Sequence, residues 1–197
     1  MKTLFFTLIL AFSVQSLIAQ EKSDTLKHLT FKGVPIDGTL DEYVSKMKQN
    51  GFTHLGTEDG IAILNGEFAG YKECIVGIST LKQKDLVHKI VVIFPDRDTW
   101  STLSGNYFNL KEMLTEKYGN PFEVLEKFDS EFEPSDDEDK MYRVEFDNCK
   151  YYSIWQTDKG DIKLSIDHES VYRCFVSLSY FDKINSDKIK AKAIKDL

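Results

Sequence analysis

The sequence predicts an α+β fold of two successive units, each a helix followed by an antiparallel meander, with the helices packed on one face of the sheet. Three observations predict it. A capped, amphipathic helix pattern opens the first half at Thr39, and a second amphipathic pattern opens the other near Thr99. Strand-length apolar or alternating runs, punctuated by turn residues, follow both of them. The length of 197 residues suits a single domain once a leader is set aside.

That leader is residues 1–19. Lys2 gives a positive start, residues 4–12 are apolar apart from Thr7, and Ala19 offers a small residue for cleavage before Gln20. This is the layout of a secretory signal peptide. The apolar run falls short of the about 20 residues a membrane helix needs. No cysteine follows the cleavage point to carry a lipid anchor. The expected mature protein is therefore exported to the periplasm, with no membrane insertion after cleavage. It forms one domain over residues 20–197, with sub-repeats at about 29–94 and 99–181.

Residues 29–36 read as a lead-in strand closed by Pro35 and the Asp37-Gly38 turn. Thr39 with Glu42 then forms a capping box, Leu40, Tyr43, Val44 and Met47 fall at helical spacing, and Gly51 stops the helix. Residues 52–94 look like four strands, turning at residues 58–60, 69–70 and 82–85. The second helix carries the stripe Trp100, Leu103, Tyr107, Leu110, Leu114, with Gly105-Asn106 as a break that would split it. A strand is expected over residues 122–128. Residues 141–149 suit either strand or helix, and the Met141, Val144, Cys149 spacing favours helix. Residues 151–157, 161–167 and 171–181 form the final meander, with a turn at 168–170. A charged helix over 187–195 ends the chain.

Composition excludes several function classes. The net charge is −7, and loss of Lys2, the only charge in the leader, makes it −8. An acidic chain without a basic stripe is no nucleic-acid binder, and the same sign opposes docking to an anionic membrane. Cys74, Cys149 and Cys174 are an odd set whose spacings match neither a zinc ribbon nor a redox pair. They read as small buried hydrophobes. With the turns placed as above, Cys149 and Cys174 sit about 16 Å out of step along the strands, too far for a disulfide.

Three segments carry a resemblance. Residues 31–40 (FKGVPIDGTL), 68–71 (FAGY) and 157–162 (TDKGDI) resemble segments of a family of exported bacterial proteins of unknown function. The order of elements is also similar to the tandem-repeat fold of β-lactamase inhibitor proteins and related outer-membrane assembly lipoproteins. The resemblance implies an exported α+β domain and brings no catalytic residues with it.

No catalytic motif is present: the chain lacks HExxH, GxSxG and a phosphate-binding glycine loop. His28, His54, His88 and His168 are scattered, with no pair spaced for a metal, so neither a cofactor nor a metal is expected. Asp167 and His168 beside Ser165 suggest a triad, but strand neighbours point to opposite faces, and His168 reads as a surface turn residue. Residues 129–139 hold seven carboxylates among eleven residues, yet Pro134 occupies the position where a calcium loop needs glycine. They read as a solvated loop leading into a helix capped by Ser135.

The final meander holds the candidate site. Ile162, Leu164 and Ile166 with Tyr172, Cys174, Val176, Leu178 and Tyr180 make the face packed against helices. The opposite face carries Lys163, Ser165, Arg173, Phe175 and Ser177, joined by Tyr151, Ser153 and Trp155 if Ile154 points inward. Aromatics and arginine among small polar residues are the composition of binding hot spots. The competing reading is that these aromatics form a second small core. The leading expectation is a non-enzymatic binding protein whose partner is another exported protein or an envelope component. A receptor for a small glycan-like ligand is the alternative, and a hydrolase is third.

Overall fold

The computed structural model describes residues 27–81, 84–129, 134–170 and 173–195. The expected signal peptide, the middle of the acidic stretch and Tyr172 lie outside the described residues. The architecture is α+β.

The lead-in segment is a small hairpin rather than one strand: β1 (Thr30–Phe31) pairs with β2 (Val34–Pro35). Lys32 (φ 49°) and Gly33 (φ 78°) both turn left-handed, the backbone twist that closes a two-residue hairpin. Helix α1 (Leu40–Gln49) has the expected capping box: the Glu42 N–H donates to Thr39 Oγ1 at 3.4 Å and the Thr39 N–H to Glu42 Oε2 at 3.2 Å. Its four buried residues, Leu40, Tyr43, Val44 and Met47, are the ones the spacing picks out.

Strands β3 (Thr53–Glu58), β4 (Ile61–Phe68), β5 (Tyr71–Leu81) and β6 (Lys84–Ile93) follow. Helix α2 (Trp100–Tyr118) runs unbroken through Gly105-Asn106. A Cβ at Gly105 would meet nothing within 4 Å, so this residue lies off the packed stripe. Burial of Trp100, Leu103, Tyr107, Leu110 and Leu114 outweighs the about 1 kcal/mol glycine penalty. Strand β7 (Glu123–Phe128) leads to helix α3 (Asp137–Glu145), which takes in Met141 and Val144, while Cys149 already belongs to the next strand. The cap of α3 is Asp136, accepting from the Asp139 N–H at 2.9 Å, and not Ser135. Asp137 instead caps α2, accepting from the Trp100 and Ser101 N–H groups at 2.9 and 2.7 Å. Acidic side chains suit both helix starts, where free N–H groups and the positive dipole end coincide.

Strands β8 (Cys149–Thr157), β9 (Gly160–Ser170) and β10 (Arg173–Asp182) and helix α4 (Lys183–Lys195) complete the chain. Residues 168–170 are strand, not turn, and α4 begins four residues before the expected start at Asp187. No described helix is long and apolar enough to cross a membrane.

The eight long strands form one antiparallel sheet in the order β3-β4-β5-β6-β10-β9-β8-β7. Its inner face is apolar row by row. Ala62, Ile78, Ile90, Tyr180, Ile162 and Trp155 stand side by side, and Leu64, Val76, Val92, Leu178 and Leu164 form the next row. Both rows share one buried cluster with the packed faces of α1, α2 and α3. Each fully buried aliphatic side chain there stabilises the fold by about 1.5–3 kcal/mol. Helix α4 packs across β6, β9 and β10.

Candidate functional site

The register divides the residues expected to share one face. Trp155 pairs with Ile162, so it faces the helices and is 1% exposed, and its indole N–H donates to the Gly119 carbonyl at 2.9 Å. Tyr151 lies on the same inner side, its ring 4.9 Å from Trp100 and 5.4 Å from Phe128. Ser153 follows them, bonded at 2.8 Å to the Tyr107 hydroxyl. Ile154 therefore points outward, and Trp155 and Tyr151 leave the candidate surface for the core. The physical reason is the β8–β9 pairing: once Ile162 and Leu164 face in, Trp155 and Ser153 opposite them must do the same.

Lys163, Ser165, Phe175 and Ser177 do share the outer face. Ser177 pairs with Ser165, and Phe175 pairs with Asp167. The Ser165 hydroxyl donates to Asp167 Oδ2 at 2.8 Å, the Ser177 hydroxyl donates to the same oxygen, and the two hydroxyls are 3.1 Å apart. Among the described residues no cation pairs with this half-buried carboxylate. Both serines and Phe175 are buried, although Phe175 stands outside the main core cluster. They form a recessed floor. Arg173 lies at its upper edge, with Nε 3.0 Å from Asp96 and a second contact to Glu169, so its charge is already matched. The Lys163 ammonium sits 5.3 Å over the Tyr152 ring, and the Tyr152 hydroxyl donates to Glu123 at 2.6 Å, which pushes its pKa up.

The other half of the outer face is aliphatic, and sequence reasoning missed it. Ile63, Gly77, Val91, Ser179, Lys163 and Ile154 form one row across six strands, and Asn65, Ile75, Ile93, Ser177, Ser165 and Tyr152 form the next. Ile63, Ile75, Val91 and Ile93 thus make a half-buried patch on the side away from α1, α2 and α3. A signal was available. Strands β4, β5 and β6 are apolar at both parities, as in Ile90-Val91-Val92-Ile93, and such strands have two faces to cover.

The triad arrangement fails on geometry. His168 pairs with Cys174 on the inner side, its Nε2 2.9 Å from Asp147, whereas Ser165 and Asp167 meet on the outer side. His168 is a strand residue and not the surface turn residue expected from sequence. The same pairing revises the cysteines. Extending the Tyr152–Ser165 register by three residues brings Cys149 level with His168, so the two cysteines flank it instead of lying 16 Å out of step. They remain two strand spacings apart, about 9.5 Å, which still exceeds the bridging distance. All three cysteines are free. Burial pushes the Cys149 thiol up to about 12, helped by Cys174, Asp167 and Asp129, and pushes the Cys174 thiol up to about 11. Among the described residues no group of three His, Cys, Asp or Glu side chains is placed to hold a metal ion.

The chain matches no family model, no curated protein and no solved structure.

Proposed function

We propose that this is an exported, non-enzymatic binding protein whose outer sheet face takes another exported protein or an envelope component. The observation that carries the reading is the patch of Ile63, Ile75, Val91 and Ile93 beside the recessed Asp167–Ser165–Ser177 floor. Half-exposed aliphatic side chains on a sheet face gain by being covered, at about 25 cal/mol per Å² removed from water. The charge pattern specifies the partner's chemistry. Asp167 has no cation among the described residues, and the chain carries a net charge of −7. The partner therefore presents aliphatic or aromatic side chains with an arginine or lysine for Asp167. Export rests on the leader-like residues 1–19, and the periplasm is the compartment that follows from them. The same reading takes the two helix-plus-meander halves as copies of one ancestral unit, supported by the helix and four strands that each contributes, with α3 an addition between β7 and β8 of the second.

The test is capture from a native envelope extract by the mature protein, run beside Ile75→Asp and Asp167→Asn variants. A partner that both variants lose, while keeping the wild-type thermal midpoint within a few degrees, supports the reading. Cross-links from that partner should fall on β5, β6 and β10. Retention of the same partner by Ile75→Asp would remove the aliphatic patch from the interface and sink the proposal.

A further inference from the structure

At the foot of the outer face lies a cavity of about 380 Å³, lined by Gln156, Thr157, Asp161, Phe181, Ser186 and Asp187 among others. That volume falls within the range of small-ligand sites. From its geometry and chemistry we propose that it binds a neutral pyranose sugar. Asp161 pairs with both Gln156 and Phe181, so an amide, a carboxylate and an aromatic ring stand in one row on three adjacent strands. Neighbouring Cβ atoms in such a row are about 5 Å apart, the scale on which adjacent hydroxyls of one sugar ring can be shared.

The walls are fixed before any ligand arrives. Thr157 Oγ1 accepts from the Lys159 and Gly160 N–H groups and donates to the Gly160 carbonyl at 2.8 Å. Gly160, at φ 148°, passes so close to β10 that a Cβ would collide with the Phe181 carbonyl oxygen. The first turn of α4 is tied to the hairpin by the Lys183 N–H, which donates to the Lys159 carbonyl at 2.9 Å. Such a site pays little ordering entropy on binding.

Its chemistry selects the ligand class. Asp187 is paired with Lys183 at 3.0 Å. Asp161, Gln156 and Ser186 make no side-chain hydrogen bond to another described residue, so an acceptor pair, a donor–acceptor amide and a hydroxyl are all available. An anion would meet Asp161 and Asp187. A cation would find Asp161 but also the Lys183 ammonium that lines the cavity, and it would leave the amide, the hydroxyl and the Phe181 ring unused. A purely apolar ligand would strand the polar groups. A pyranose satisfies all of them: its C–H face suits the electron-rich ring, and its hydroxyls both donate and accept.

The experiment is a titration of the isotope-labelled mature protein, followed by amide resonances, with methyl β-D-glucopyranoside, methyl α-D-mannopyranoside and N-acetylglucosamine. Inorganic phosphate and spermidine serve as charged comparators. At least one pyranoside should saturably shift the Gln156, Asp161 and Ser186 amides. The exposed-site variants Asp161→Ala and Gln156→Ala should keep the fold and bind about tenfold more weakly. Ile75→Asp should bind the sugar as the wild type does, which separates this site from the partner surface. The proposal is overturned if no pyranoside moves those resonances at about 50 mM, well above a millimolar dissociation constant. It is equally overturned if phosphate or spermidine shifts them instead.

Discussion

Removing the carboxylate of Asp182 should unlatch the N-terminal segment from the sheet and from α4 together. Asp182 is fully buried at the end of β10. Its Oδ1 accepts from the Asn185 N–H at 2.9 Å, capping α4, and lies 3.0 Å from His28 Nδ1, while Oδ2 accepts from the Leu29 N–H at 2.8 Å. Asn185, also fully buried, extends the network, its amide donating to the carbonyls of Ile36 at 3.1 Å and Val87 at 2.8 Å. Asp182→Ala strands two buried N–H groups, each worth about 1–3 kcal/mol, and takes the partner from His28, for a total of about 3–5 kcal/mol. In a domain of this size that lowers the thermal midpoint by roughly 10 °C. Asp182→Asn keeps one oxygen but turns an amide N–H toward a backbone donor whichever way it is flipped, and should cost about 2 kcal/mol. Urea unfolding at pH 7, followed by circular dichroism with equal slopes for all three proteins, measures both values. An Asp182→Ala variant within about 1 kcal/mol of wild type would show that water replaces the carboxylate freely, and the reasoning would fail.

Trp155→Ala should destabilise the protein by about 3–5 kcal/mol in the same assay, whereas a surface tryptophan would leave the midpoint in place. Thr39→Ala should cost about 1 kcal/mol through loss of the α1 capping box, and Thr39→Ser almost nothing; equal losses would mean the cap is not the cause. The thiols should resist alkylation in the native state and all three should react after denaturation without a reductant, and a missing thiol would reveal a disulfide. Native Cys149 and Cys174 hold their protons to about 12 and about 11 from a reference of 9.0, so unfolding releases protons above pH 9. Their contribution is therefore complete below pH 9 and is lost as pH rises through the native values, and a Cys149→Ala/Cys174→Ala double variant should show a shallower alkaline decline. An unchanged slope in that variant would contradict the burial of the thiols.

Where one local pattern admitted one solution, the sequence was a sufficient guide. The Thr39–Glu42 box, the α1 and α2 stripes and the four-strand run ending at Ile93 needed only neighbours within a few residues. The facing of β8 was not legible, because Tyr151-Ser153-Trp155 and Tyr152-Ile154 are both plausible inner sets. Only pairing with β9 decides between them, and pairing is tertiary. The same dependence moved Cys174 from Ser165 to His168, since the strands run three residues further than the turn pattern suggested. At Gly105 the local break lost to packing, as propensity often does. The candidate surface kept Lys163, Ser165, Phe175 and Ser177, while the aliphatic patch beside them was not legible in the last meander because it lies on β4–β6 and joins that surface only through the β6–β10 pairing.

The sheet is joined at its centre by strands from the two different halves of the chain. Strand β6 ends at Ile93 and its partner β10 begins at Arg173, with 79 residues between them. The N-terminal meander is thus synthesised with its most aliphatic strand as an open edge, and that edge stays unpaired until nearly the whole chain has followed. An unpaired strand of this composition is a template for another copy of itself. Folding yield should therefore depend on concentration and on how fast the C-terminal meander arrives, so truncations before Arg173 should aggregate rather than settle as a half-sized domain.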